Sequence, residues 1–445
     1  MKNNVYALLL VALAMSAPTY GEENVRWQFA PEEQLQAQLT IKEAILRAFA
    51  RNPKIAQAAA QIRVGQANKK EAQSAWFPQV SLQGNAGRSH QTDSSGSLNS
   101  NGSAGISLKQ LIYDFGKTNG SIDEQNNLTE AYRYELYGTL NEVGMQTLQA
   151  YLQVKRYQML VLASERNKNS LQGINDMAVM RADAGLSSDS DELQAQSRIA
   201  GVNATQAQYT SQMQSAQAYL SVLTGIKAET LPDLPQSLLQ QKITLQSFPY
   251  STNNLVRSAQ SRQQAAAERI RQAEAQHWPT LSVQAGRTRY QSSSSGNYWD
   301  DQVQFVVSAP IYQGGAVSAR VDAAESDRAS AQAGIESSKL DINQKAATAW
   351  ADLSGAQLRE QAGEQQKVSA NRARVVYRDE YKLSKRSLND LLSVEQDVFQ
   401  AEVAEITARY DAWDAAVRYA AAADNLLDML GIERSQTIGD SLPSL

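Results

Sequence analysis

Cysteine is absent from this chain of 445 residues. That excludes disulfides, thiol nucleophiles and thiolate metal sites together, and it removes the residue on which a bacterial lipoprotein anchor is built. Histidine occurs only at His90 and His277, with no His-x-x-His or His-Glu-x-x-His pattern. Zinc sites and Ser-His catalysis therefore lack their groups. No Gly-Lys-Ser/Thr follows a glycine-rich segment, so a nucleotide-phosphate cradle is missing too. The expectation is a protein that is not an enzyme, with no metal and no cofactor. A formal charge of −4 gives no basic footprint for nucleic acid. Beyond the N-terminus nothing approaches the ~18 consecutive apolar residues of a membrane helix. Proline (10) and glycine (24) are sparse, and mean hydropathy is −0.45. Such a mixture suits long helices with narrow apolar seams.

Residues 1–21 read as a signal peptide. Lys2 supplies the charge, residues 5–14 the apolar run, and Thr19-Tyr20-Gly21 the small residues before the cut. Beyond it, the sequence repeats itself. Leu111-Ile112-Tyr113-Asp114-Phe115-Gly116 returns as Pro310-Ile311-Tyr312-Gln313-Gly314-Gly315, 199 residues on. Gly185-x-x-Ser188-x-x-Asp191-x-Leu193 returns as Ser384-x-x-Ser387-x-x-Asp390-x-Leu392 at the same offset. Trp76-Phe77-Pro78 returns near it as His277-Trp278-Pro279. Landmarks in register mean a unit duplicated in tandem. The expected divisions are a first repeat at 22–230, a proline-bearing linker at 231–249, a second repeat at 250–431 and a tail at 432–445.

Each repeat changes period midway. After Pro78, Val80, Leu82 and Ala86 alternate with Ser81, Gln83 and Asn85, and alternation resumes at Ala104, Ile106 and Leu108 after a polar stretch at 89–103. Leu281, Val283 and Ala285 alternate likewise with Ser282, Gln284 and Gly286. A loop follows at 290–300, then a return strand through Val303, Phe305, Val307 and Ile311. Period two predicts hairpins at about 79–113 and 280–312, with strands of roughly the ten residues a tilted membrane strand needs. Trp76, Phe77 and Trp278 beside the strand starts suit an interfacial aromatic belt or ordinary contact with the helices. Proline-free stretches then predict helical hairpins at about 117–224 and 316–430, broken at 185–190 and near Ser387. Thr40 and Glu43 have capping-box spacing. Leu391, Val394, Val398, Ala401, Ala408 and Ala412 form a seam that Glu405 interrupts.

Four strands cannot close a barrel, and an open edge cannot face lipid because its amides would lack partners. Other copies must complete the sheet. Two copies would make a filled barrel of eight strands, and three would make twelve with room for an opening. Ser81, Gln83, Asn85, Ser282 and Gln284 give one face the polarity of a water-filled lumen.

The Tyr-x-x-Gly segments at Tyr113–Gly116 and Tyr312–Gly315, the aromatic-Pro strand starts and the duplicated turns resemble the TolC family of outer-membrane channels over residues 22–432. The resemblance implies an α+β membrane protein: a homotrimer with a 12-stranded outer-membrane β-barrel, four strands per chain. A long α-helical coiled-coil barrel, built from two tandem structural repeats, continues it through the periplasm. Implied partners are outer-membrane lipid, a periplasmic adaptor protein and an inner-membrane ABC or proton-coupled transporter. Tyr113, Gly116, Tyr312 and Gly315 become strand-to-helix joints. The adaptor would dock on a tip of Arg181, Gly185, Leu186, Ser188, Ser384 and Ser387. Tyr381, Arg386 and Asp191 would hold a gate, and Asp390 would form an acidic selectivity ring. Asp191 and Asp390 also read as helix-start acids, and the two readings are compatible. The sequence departs at Ser384, where glycine is usual, and at Ser393, where some members carry a second aspartate. The expected function is a passive exit duct for type I protein secretion, including export of a large adhesin. Drug or metal efflux is the alternative use, and a pore-less periplasmic coiled-coil scaffold is the alternative of another class.

Overall fold

The computed structural model describes residues 34–90, 98–234, 250–292 and 296–432. The expected signal peptide, the linker from 235 to 249 and the tail from 433 lie outside the described residues. In chain order the first repeat contains β1 (Gln34–Gln38), α1 (Ile41–Arg51), α2 (Pro53–Ser74), β2 (Gln79–His90), β3 (Leu98–Tyr113), α3 (Lys117–Asp183), α4 (Asp189–Thr224) and β4 (Ile226–Thr230). The second contains α5 (Asn254–Glu274), β5 (Thr280–Ser292), β6 (Gly296–Ser308), α6 (Ala316–Lys382), α7 (Leu388–Ala422) and the short α8 (Leu426–Met429).

Helices α3 and α6 each run 67 residues, roughly 100 Å at ~1.5 Å per residue. Neither contains proline; α6 is rich in alanine, and α3 in Leu, Gln, Glu, Met and other unbranched-at-Cβ side chains that lose little freedom in a helix. At the start of α1 the Thr40 hydroxyl accepts from the Glu43 amide at 3.3 Å. The Glu43 carboxylate is turned to Gln36, whose amide donates to it at 3.1 Å, tying β1 to the helix. Asn52 ends α1 and caps α2, accepting from the Lys54 amide at 2.9 Å, with Pro53 at the first helical position.

The four long strands form one antiparallel sheet in the order β2-β3-β5-β6, so the two hairpins join through β3 and β5. The strands outrun the alternation: β2 reaches His90 and β3 begins at Leu98. Glycine, serine and asparagine there pair through their backbones without marking a face. Pairing therefore enters both stretches read as loops, reaching His90 and Leu98 in the first hairpin and Ser292 and Gly296 in the second, and the residues between lie outside the described ones. The return strand is shorter than expected and ends at Ser308. Pro310 has no amide hydrogen to give the ladder. The last helix is also interrupted, because Asp424 takes φ +57 before α8. A separate parallel pair, β1 with β4, has no counterpart in the sequence reading.

The main core gathers α1, α3, β4 and α8 around Ile45, Phe49, Leu140, Leu148, Tyr151, Ile226 and Leu427. Tyr151 buries its ring and donates its hydroxyl to the Pro232 carbonyl at 2.7 Å. Elsewhere helices meet through thin seams such as Leu353, Ala356, Ala412, Ala415 and Ala416. Glu405 is buried within the α7 seam and held by Lys367 from α6 and by Arg409 at 2.6 Å. Opposite it stands Gly363, where an added Cβ would lie 3.1 Å from the Glu405 Cα.

Candidate functional site

The sheet has two unlike faces. Cross-strand partners in an antiparallel ladder share a face, and the register runs Gln83 to Gly105 to Thr288 to Asp300 on one side. That side carries Ser81, Asn85, Ser107, Ser282, Gln284, Gln302 and Gln304. Ser81 and Ser107 hydroxyls meet at 2.7 Å. The other side carries Val80, Leu82, Ile106, Val283, Val303, Phe305 and Val307. Leu82 and Phe305 are each 84% exposed and Val303 78%, so no described residue covers this side there. β2 and β6 are the edges of the sheet.

The two strand-to-helix joints differ. Tyr113 ends β3, and Phe115 and Gly116 take φ +57 and +99 before α3. Gly116 has no side chain to cap the helix, and Asp114 does it instead. Its carboxylate accepts from the Gly116 amide at 3.1 Å, the Thr118 amide at 2.8 Å and the Thr118 hydroxyl at 2.5 Å. A left-handed residue with a side chain costs about 1–2 kcal/mol. The Phe115 ring offsets this by stacking on Trp278 at 5.5 Å and meeting Tyr113 edge-on at 4.7 Å. Lys117 reaches the Trp278 carbonyl at 2.8 Å and the Thr280 hydroxyl at 2.9 Å, fastening one repeat to the other. In the second joint Gly314 and Gly315 take φ +63 and +81 with no side-chain cap. Ile311 and Tyr312 beside them are 99% and 86% exposed.

The two helix-hairpin turns share one backbone design. In the first, the Leu186 amide donates to the Arg181 carbonyl at 2.8 Å and the Gly185 amide to Ala182 at 2.9 Å. In the second, Lys385 donates to Glu380 at 2.9 Å and Ser384 to Tyr381 at 3.0 Å. These paired bonds require a left-handed residue, which is Gly185 (φ +70) in one and Ser384 (φ +57) in the other. Ser188 caps α4, accepting from Ser190 at 3.1 Å, and Asp191 lies in its first turn. Ser387 and Asp390 form a full capping box on α7, with bonds of 3.2 and 3.3 Å.

Arg181 joins the two tips. Its guanidinium donates to the Tyr381 carbonyl at 3.0 Å and the Ser384 hydroxyl at 2.9 Å, and lies 4.8 Å over the Tyr381 ring. That ring is buried among Leu171, Ile174, Leu388 and Leu391. Its hydroxyl has no hydrogen-bond partner among the described residues. Burial raises the Tyr381 pKa, the nearby Asp191 charge raises it further, and Arg181 opposes both. Leu186 is 65% exposed at the turn. Arg386 engages Glu380 at 2.9 Å and covers the Tyr377 ring at 4.0 Å, with no bond to Asp191 among the described residues. Arg181, Tyr381, Ser384 and the field of Asp191 thus meet, whereas Arg386 and Asp390 are each engaged within their own turn. Tyr377 and Glu380 are not visible as site residues in the sequence. Glu380 reaches Arg386, six positions on, because the left-handed Ser384 reverses the chain.

A family model described as "Outer membrane efflux protein" matches residues 44–226 and 251–423. Outer membrane efflux protein BepC of Brucella suis biovar 1 (strain 1330) is 25% identical over 423 residues, covering 89% of this chain and 88% of BepC. Outer membrane protein TolC of Salmonella enteritidis is 23% identical over 418 residues, covering 88% and 83%. The solved structure of the outer-membrane channel OprN aligns with a TM-score of 0.74 at 19% identity, over 86% of this chain and 89% of OprN, which shows a common fold. The two matched blocks fall on the two repeats, and the chain belongs to the outer membrane efflux protein (TolC) family: an outer-membrane channel reaching into the periplasm, not an enzyme.

Proposed function

We propose that three copies close a barrel of twelve strands and form the passive exit duct of a tripartite export machine. The observation that carries this is the four-stranded sheet with an uncovered apolar face, a polar face and two open edges. Lipid tolerates such a sheet only when other copies satisfy the edges. Twelve strands leave an aqueous opening, and the face with Gln83, Gln284 and Gln304 would line it. The chain has no Walker motif, so an inner-membrane transporter supplies the energy and a periplasmic adaptor couples it to the duct. The pore-less scaffold is set aside by family membership. A heat-sensitive trimer in outer-membrane fractions that conducts ions in planar bilayers supports the reading. Recovery as a monomer in the aqueous phase after detergent extraction overturns it.

For cargo we propose type I secretion, including a large adhesin. Its support is the joint at residues 111–117 and the lack of an anchoring cysteine. Efflux is the second reading, favoured by the description of the family and the name of BepC. A deletion strain separates them: a missing secreted protein supports the first, and an unchanged secretome with new drug or metal sensitivity supports the second. At the entrance, Arg181, Gly185, Leu186, Ser188, Ser384 and Ser387 form the adaptor-docking tip. Asp191, Tyr381, Arg386 and Asp390 form the gate.

A further inference from the structure

We infer that the far end of the outward sheet face holds a binding site for the phosphate groups of outer-leaflet lipid, made by Arg287, Arg289 and Trp299. This rests on the barrel reading above, which turns the apolar face toward lipid. Arg287 and Arg289 pair in register with Ile106 and Ala104 on β3, and with Asp301 and Trp299 on β6. They therefore lie on the same side as Leu82, Val303 and Phe305, and both are exposed. Two guanidinium groups on a face that is mainly apolar nearer the helices need an explanation. At mid-bilayer an arginine on the lipid face costs about 2–4 kcal/mol, falling to ~0–1 kcal/mol at the interfaces.

Height along the strand answers this. The aromatic cluster of Tyr113, Phe115 and Trp278 marks the helix-side end of the sheet. Arg287 and Arg289 stand nine and eleven residues beyond Trp278. At ~3.4 Å per residue and a tilt of about 40°, that is roughly 23–29 Å. The apolar band of an outer-membrane barrel is about 25 Å tall. Both arginines then fall at the opposite interface, the level of the outer-leaflet headgroups.

The local chemistry suits a phosphate. Trp299 lies under both guanidinium groups, 4.6 Å from Arg287 and 5.8 Å from Arg289. A ring in contact with a guanidinium holds it in place, and the arginine fork can give a phosphate two parallel bonds. Asp301 meets Arg287 Nε at 3.2 Å. Arg289 makes no ion pair with any described residue, so the cluster keeps one net positive charge.

The test uses the full-length trimer in detergent and compares binding of bis-phosphorylated and dephosphorylated lipid A. The wild type is expected to bind the phosphorylated form at least tenfold more tightly. Arg289→Gln should cut that preference severalfold, and Arg287→Gln with Arg289→Gln should abolish it. Equal binding of both lipids by the wild type, or a preference undiminished in the double variant, overturns the site. If the double variant does not assemble, Arg289→Gln alone decides: a reduced preference supports the site and an unchanged one sinks it. The heat-sensitive trimer and its detergent-phase partition are scored separately. Their absence in the wild type would refute the barrel and the site with it, whereas their presence with equal binding of both lipids would refute the arginine site alone.

Discussion

Gly185 and Ser384 occupy one backbone conformation with different side chains, so the two tips carry unequal strain. No atom lies within 4 Å of a Cβ built on Gly185, so Gly185→Ala should cost only the conformational term, about 1–2 kcal/mol. Ser384→Gly should gain a smaller amount, because it gives up the exposed bond from Arg181. Thermal melts of the two variants should move in opposite directions. The turns are legible in the sequence because glycine and a serine cap punctuate a long helical run. The Arg181–Tyr381 contact is not, since only hairpin packing brings residues 200 apart together. For the gate, Tyr381→Phe alone should leave the melting temperature unchanged, because the hydroxyl has no partner to lose. Tyr381→Phe with Arg386→Ser should raise single-channel conductance, and Asp390→Asn should lower cation selectivity in planar bilayers. Unchanged conductance and selectivity would remove the gate assignment. Burial first, then the Asp233 charge, pushes the Tyr410 pKa up to about 12. The folded form thus keeps a proton that the unfolded chain gives up near pH 10. Its stabilisation is complete below pH 10 and is lost as pH rises to about 12. Melts across that window should fall less steeply for Tyr410→Phe.

Helices α6 and α7 meet through alanine-rich seams interrupted by buried charge. Glu405 is buried, yet its partners Lys367 and Arg409 are 30% and 42% exposed. Without the carboxylate both cations can turn to water, which avoids the usual penalty of a stranded buried ion. Glu405→Leu should therefore change stability by less than about 1 kcal/mol. Gly363→Val should cost about 1–3 kcal/mol, because the new atoms press on the Glu405 backbone. Chemical denaturation of both variants checks the order, and a larger loss for Glu405→Leu would show that the ion pair outweighs close approach. The seam is visible in the sequence as spacing, but Gly363 is not, since its role is set by the opposite helix. The strands show the same limit. Alternation marks Val80 to Ala86, yet the ladder continues to His90 through residues that favour neither face. β1, with four exposed residues of five, carries no periodic signal at all.

For the whole molecule, the sidedness of the sheet makes a paired prediction. Phe305→Lys on the uncovered apolar face should hinder insertion by about 2–4 kcal/mol, read as loss of trimer from membrane fractions. Gln83→Lys on the polar face should leave assembly intact and shift ion selectivity. Impaired assembly in both would mean the faces are not divided between lipid and water. The duplicated plan is readable because the joints and turns repeat at one offset, whereas the number of copies in the assembly is a property of no single chain.

The unequal joints give the two halves different mechanics. Each 67-residue helix is a lever of roughly 100 Å, and a swing of about 5° at its root displaces the far end by roughly 9 Å. Asp114, Phe115 and Lys117 clamp the root of α3 with hydrogen bonds and a stacked ring. The root of α6 is two uncapped glycines beside exposed side chains. The root of α3 is therefore held by more side-chain contacts than the root of α6 among the described residues. A rotation at either root would reach the end where Tyr381 and Ser384 meet Arg181, and the root of α6 offers it fewer side-chain restraints.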